Sequence, residues 1–290
     1  MALRGRGGWH DPGGMDPASS GGYQRHPFPR ARRLIVDAGR ATRNRHPIHA
    51  LIEVDVTRAR QLIRTHELAT GERISFTAFV VACVARTVAA EPAVHAFRDL
   101  RGRLVLFDEV DVSVITEVLV EGRPFPMNHV VRLAERRGVA DISRELQQVK
   151  RDPSTSPSLR MAGRVKWFLL LPGSLRSSAL RLLYRLPQRH KALAGTVGVT
   201  AVGMFGHGGG WGIAFQSYPL EVVVGGIERK PAVVAGSVVP RELLDLTLSF
   251  DHDVVDGAPA ARFASHLREL VESADGLPPR TAAAGGRRLV

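Results

Sequence analysis

The stretch LTLSFDHDVVDGAPAARF, residues 246–263, constrains the fold more than any other. It joins a strand of period two to a turn and then to a helix. Leu246, Leu248 and Phe250 alternate with Thr247, Ser249 and Asp251, the pattern of a strand with one apolar face. Carried one step further, the apolar face ends on His252, with Asp251 and Asp253 on the opposite face. Asp256–Gly257 then reads as a turn in which glycine allows a tight backbone path. Phe263, Leu267, Leu270 and Val271 align along the helix that follows. A histidine closing an apolar face is held partly out of water, which keeps imidazole neutral and able to accept a proton. On spacing alone two readings stand: a general base, or a side chain that closes the edge of the core. A metal site built from Asp251, His252 and Asp253 is disfavoured because alternate side chains diverge.

Elsewhere the chain mixes strands and helices without a regular repeat, which predicts a mixed-sheet α/β sandwich. HALIEVDVT alternates as a strand. RARQLIRTHELATG reads as an amphipathic helix ending near Gly71. SFTAFVVACVARTVAAEP reads as a buried helix capped by Ser75 and stopped by Pro92. Strands are expected around 103–122, in GTVGVTAVG, in LEVVVGGI and in RELLDLTLSFDH. Residues 1–29 are rich in Gly, Pro and Ser and read as a disordered arm, and 276–290 as a loose tail. A single catalytic domain is expected over 30–275, interrupted by an apolar and basic insertion at 151–192. In that insertion a helix from Ser174 would align Leu175, Ala179, Leu182, Leu183 and Leu186 on one face.

Composition narrows the function classes. The lone cysteine, Cys83, excludes an internal disulfide framework and suits a reducing, cytoplasmic setting. The net charge of +12 invites nucleic acid, yet only Lys150, Lys166, Lys191 and Lys230 are lysines and the arginines spread along the whole chain. No nucleic-acid-binding motif gives that charge a destination, so no nucleic-acid partner is expected. GHGGGWG, residues 206–212, lacks the GK[ST] of a phosphate loop and reads as a flexible rim or solvent loop from which His207 and Trp211 could meet substrate.

The motif H-x-x-x-D-G at His252, Asp256 and Gly257 resembles that of the catalytic domain of the acyltransferase component of 2-oxo-acid dehydrogenase complexes, and more distantly chloramphenicol acetyltransferase. IEVDVT, SFTAFVVACVARTVAAEPAVHAF, LFDEVDVSV, GMFG and VGGIERKPAVVAGSVVPRELLDLTLSFDH resemble family segments in the family's order. The resemblance implies a chloramphenicol acetyltransferase-like mixed-sheet sandwich, assembled as a trimer with the site between subunits. It implies CoA-dependent acyl transfer, with His252 as general base toward a thiol or hydroxyl acceptor such as dihydrolipoamide. Thr200, which ends VGVT, takes the place of the family's oxyanion donor, 52 residues before His252. Asp256 is then structural, through an ion pair with an arginine from the N-terminal helix, Arg33 or Arg40 being the candidates.

Four departures qualify the resemblance. Asp253 stands where the family has arginine. TEVLVEGRPFPMNHV replaces a segment that shapes the substrate channel. No lipoyl domain is recognisable, so no covalently attached lipoyl group is expected. The 151–192 insertion is longer than the family's. Its Trp167, Phe168 and leucines beside Arg164, Lys166 and Arg176 suit either a lid or a membrane-surface helix over 164–186. The competing reading is a trimeric scaffold or binding protein that has lost catalysis.

Overall fold

The computed structural model describes residues 23, 25, 26, 28, 29, 32–120, 123–157, 167–203 and 208–278. Residues 1–22, 24 and 27 of the expected arm, the tail beyond 278, Arg164, Lys166, Met204 and His207 lie outside them. A six-stranded mixed sheet organises the chain. Its strands are β1 (Pro47–Asp55), β4 (Val112–Val120), β5 (Arg123–Val131), β6 (Val197–Ala201), β7 (Leu220–Val234) and β8 (Ser237–Asp251), in the order β1-β8-β7-β6-β4-β5. Short strands β2 (Phe97–Arg98) and β3 (Leu104–Val105) pair separately. β6 lies parallel to both neighbours, and the other pairs are antiparallel. The segment predicted to reshape the channel is the β4–β5 hairpin; Pro124 and Pro126 are tolerated because β5 is an edge strand.

One face of the sheet carries the core. Helix α3 (Phe76–Ala90) has ten buried residues among its fifteen, which is why its sequence is apolar all round rather than striped. Ser75 caps it by accepting from the Ala78 amide, and Pro92 opens the 3-10 turn beyond its end, as the sequence predicted. Helix α4 (Val139–Arg151) and the helix over 257–273 flank it, α2 (Thr57–Thr70) packs on the far side of the latter, and Gly71 ends α2 in the left-handed region. Leu246, Leu248 and Phe250 of β8 point into this core, where Phe250 meets Phe263 edge to face. Phe263 belongs to the last described helix.

The insertion forms helices α5 (Gly173–Tyr184) and α6 (Pro187–Ala194), followed after β8 by α7 (Gly257–Ser273). On the leucine face aligned by the sequence, Leu175, Ala179 and Leu182 are exposed, Leu183 is half-buried, and Leu186 falls beyond the helix end. The buried side of α5 is polar instead. Arg176 and Ser177 bind Asp37 of α1 (Arg32–Thr42), and Arg176 also donates to the carbonyls of Leu169 and Leu171. A buried carboxylate captures the face that satisfies it, and leucines lose to that requirement. Arg176 is therefore not available to a lipid surface. Among the described residues no helix is long and apolar enough to cross a membrane.

Residues 208–219 cross the other face of the sheet. At the bulge between Val224 and Ile227 the backbones meet: a Cβ on Gly203 would lie 1.8 Å from the Gly225 carbonyl oxygen, and one on Gly226 2.2 Å from that of Gly208. Gly210 donates its amide to the Asp245 carboxylate. The described part of the glycine run, exposed on its outer side over 208–211, thus crosses close against β7, and no side chain fits at Gly203, Gly225 or Gly226. Trp211, half-exposed, stacks on Lys230 at 5.7 Å.

Candidate active site

β8 ends at Asp251, and His252 falls in the turn that follows rather than on the strand's apolar face. The turn is built on Asp251. Its carbonyl accepts from the amides of Val254 (2.9 Å) and Val255 (3.0 Å), and its carboxylate from the amide of Asp253 (3.2 Å). Val255 is buried and pins the far side. His252 donates its own amide to the His46 carbonyl at 2.9 Å, which ties the turn to the start of β1. Its side chain is 44 % exposed, not buried at the core edge. The reason is the alternation itself: once the strand stops, the next side chain no longer follows the pleat.

Asp256 sits at the N-terminus of α7, 86 % exposed, with its carboxylate 3.7 Å from His252 Nδ1. Among the described residues no arginine pairs with it. Arg40 instead lies 3.8 Å from Asp37, and Arg33 lines a surface cleft beside α5. Gly257 is the first helical residue, and a Cβ there would meet nothing within 4 Å. Neither the arginine anchor nor the tight turn expected of this pair is present within one chain. The side chains of Asp251, His252 and Asp253 go separate ways, to Arg45, to Asp256, and to His46 with Arg98.

Thr200 lies on β6, between Ile115 of β4 and Val223 of β7. Val197 and Val199 face the core, so Thr200 faces away from it, two residues beyond Gly198. The hydroxyl residue lines a cleft of about 260 Å³ with Ser75, Thr77, Ile115, Thr116 and Gln147 among its walls. Ser75, Thr77, Gln147 and Lys150 also line a neighbouring groove of about 600 Å³ that adds Arg60, Arg64, Arg73 and Arg151. Sequence reasoning missed these lining residues. Ser75 carried only the signal of a helix cap, and the cations come from α2, α4 and the loop between α2 and α3, distant in sequence from Thr200.

Within one chain Thr200 and His252 do not meet. Thr200 stands level with Val223 and Thr247 across the sheet, and His252 follows Thr247 by five residues. At ~3.3 Å per residue and ~4.8 Å per strand, the two lie about 20 Å apart, Thr200 within the sheet and His252 just past the end of β8.

This topology, with helices layered on one face of a mixed six-stranded sheet, is the fold of dihydrolipoamide acyltransferase catalytic cores. The structure of a probable dihydrolipoamide acetyltransferase from Listeria monocytogenes matches at a TM-score of 0.65 and 17 % identity, covering 90 % of this chain and 98 % of that one. That of the Azotobacter vinelandii dihydrolipoamide acetyltransferase matches at 0.65 and 16 % identity, covering 87 % and 93 %. Residues 188–277 match the family model of the 2-oxoacid dehydrogenases acyltransferase (catalytic domain). The lipoamide acyltransferase component of the Bacillus subtilis branched-chain alpha-keto acid dehydrogenase complex is 25 % identical over 268 residues, 89 % of this chain and 54 % of that protein. The chain thus spans about half the length of that curated relative.

Proposed function

We propose that the protein is a CoA-dependent acyltransferase whose active site is completed between two copies of the chain, His252 of one facing Thr200 of the next. The observation that carries this reading is the separation of the two residues within one chain, Thr200 inside the sheet and His252 in the turn past β8. Thr200 opens onto a cleft, His252 is presented to solvent, and only a second copy can bring them together. A closed head-to-tail ring joins such unlike surfaces without leaving one unmatched, and a trimer is the smallest ring with one site per interface.

The cleft supports the choice of CoA. Its small volume beside Thr200 suits a pantetheine arm, and the adjoining groove offers Arg73, Lys150 and Arg151 to the phosphates of the nucleotide end. Spacing supports the roles. The Azotobacter structure concerns a serine, a histidine 52 positions later and an asparagine 4 beyond it in the catalytic mechanism of that enzyme. Thr200, His252 and Asp256 keep both intervals.

In the proposed reaction His252 takes the proton of the acceptor's thiol or hydroxyl. The freed lone pair attacks the thioester carbonyl of acyl-CoA. The Thr200 hydroxyl donates a hydrogen bond to the resulting oxyanion. Collapse breaks the C–S bond, and the imidazolium returns its proton to the departing CoA thiolate. Asp256 holds its carboxylate 3.7 Å from His252 Nδ1.

Mixed assemblies test the arrangement. Thr200→Ala and His252→Ala chains, each inactive alone, are unfolded together, refolded and assayed for release of CoA from acetyl- and propionyl-CoA with dihydrolipoamide. With random mixing about one quarter of interfaces regain both residues, and activity returns in that proportion. No recovery, with wild type active under the same refolding, refutes a shared site. No turnover by wild type with any acyl-CoA favours the scaffold reading.

A further inference from the structure

Beside the His252 turn lies a polar cavity of about 460 Å³ that the reaction above does not use. It is walled by the β1 and β8 ends, by the loop before β1 and by the last turn of α5. Arg45, Arg98, Arg181 and Arg185 line it, against Asp251 and Asp253. Both carboxylates are already engaged, Asp251 with Arg45 at 3.8 Å and Asp253 with His46 at 2.9 Å and Arg98 at 3.7 Å. Arg181 and Arg185 have no carboxylate partner among the described residues. Arg45 is largely buried over the Tyr184 ring at 5.2 Å, and its Nη1, the atom that faces Asp251, is too far from that carboxylate for a hydrogen bond and makes none among the described residues. Burial lowers the Arg45 pKa, and Arg185 pushes the same way. Guanidinium groups kept this close, with a buried N–H left open, lack an oxyanion that would accept from several of them at once.

The cavity shares its wall with the proposed base. His46 lines it and holds the His252 amide, and Asp251 and Asp253 flank His252 in sequence. Two of its arginines come from the inserted α5 region.

We infer that this cavity is an acceptor subsite, in which Arg45, Arg98, Arg181 and Arg185 hold a phosphate or carboxylate on the acyl acceptor and so present its thiol or hydroxyl to His252. The acceptor is then anionic, unlike a lipoyl amide. This rests on the acyl-transfer reading.

Two measurements on the full-length protein test it. First, thermal unfolding is followed in sodium phosphate, sodium acetate and sodium chloride at equal ionic strength. Wild type gains stability in phosphate or acetate over chloride, and which of the two acts identifies the anion. The gain disappears in the Arg181→Ala/Arg185→Ala variant, whose unfolding in chloride stays as in wild type. Second, acetyl transfer is measured to 4′-phosphopantetheine, to 3-mercaptopropionate and to neutral pantetheine. The double variant raises KM for the preferred anionic thiol by about tenfold or more, with kcat and the pantetheine KM unchanged. Equal anion stabilisation in wild type and variant, or an unchanged KM ratio, overturns the subsite. Pantetheine turnover without any anion effect overturns it and leaves acyl transfer standing. An anion effect lost in the variant, with no turnover of any thiol, overturns acyl transfer and with it the acceptor role.

Discussion

The surroundings of Thr200, near the end of β6, and of His252, past the end of β8, are built on opposite principles. At the Thr200 end, β6 offers a hydroxyl in a strand of small and apolar residues, and the cations stand off in an adjoining groove. At the His252 end, charge crowds the sheet itself: Arg45, Asp251, Asp253 and the buried Glu221 surround the turn. One end suits a transition state that needs a fixed dipole and room for an acyl group. The other suits capture and deprotonation of a polar acceptor. Under the proposed function, each chain carries two unlike halves of a site, and neither half is complete alone.

The sharpest way to break this comparison is to remove the central residue of each half. His252→Ala is expected to lower kcat by about 10²–10⁴-fold, and Thr200→Val by about 10²–10³-fold. Size-exclusion chromatography should show both variants assembled as wild type. A His252→Ala protein with unchanged turnover would remove the base from the mechanism.

The second prediction concerns what holds the His252 end together. Asp37→Ala leaves the Arg176 guanidinium buried without its carboxylate, a loss of about 3–5 kcal/mol where nothing compensates. Hydrogen exchange should rise in α1 and α5 and stay low in β6. Uniform loosening of both ends would mean that they unfold as one unit.

The third sharpens the electrostatic contrast. Burial pushes Glu221 from 4.5 up to about 7, against the opposing pull of the Ser217 and Tyr218 amides and Arg45. A carboxyl raised in this way favours the folded state fully below its unfolded value, and that contribution is lost as pH climbs through the folded one. Glu221→Gln stays neutral throughout. Its stability relative to wild type should therefore grow between pH 4.5 and about 7, to about 3 kcal/mol, in urea unfolding at a series of pH values. A pH-independent difference would show that water reaches the carboxylate.

Much of this was legible in the sequence. The apolar alternation of Leu246, Leu248 and Phe250, the cap at Ser75, the stop at Gly71 and the wholly apolar α3 each express a local rule. Their neighbours in space are also their neighbours in pattern. The positions of Thr200 and His252 were legible through a motif and a spacing. The surroundings of His252 were not, because a side chain one step past a strand's end obeys the turn and not the pleat. Nor was the α5 face: its leucines formed the stripe, but Asp37, far away in sequence, selected Arg176 and Ser177.

By itself, then, the sequence determined the elements, the two residues of the proposed chemistry and the interval between them, since period, caps and motifs act over a few residues. Tertiary structure alone decided that those residues stand apart, one within the sheet and one in the turn past β8. It also decided that glycines at 203, 225 and 226 serve a backbone crossing, and that four arginines from distant segments share one cavity. Such facts depend on strand order and register, which bring together residues that no local pattern connects.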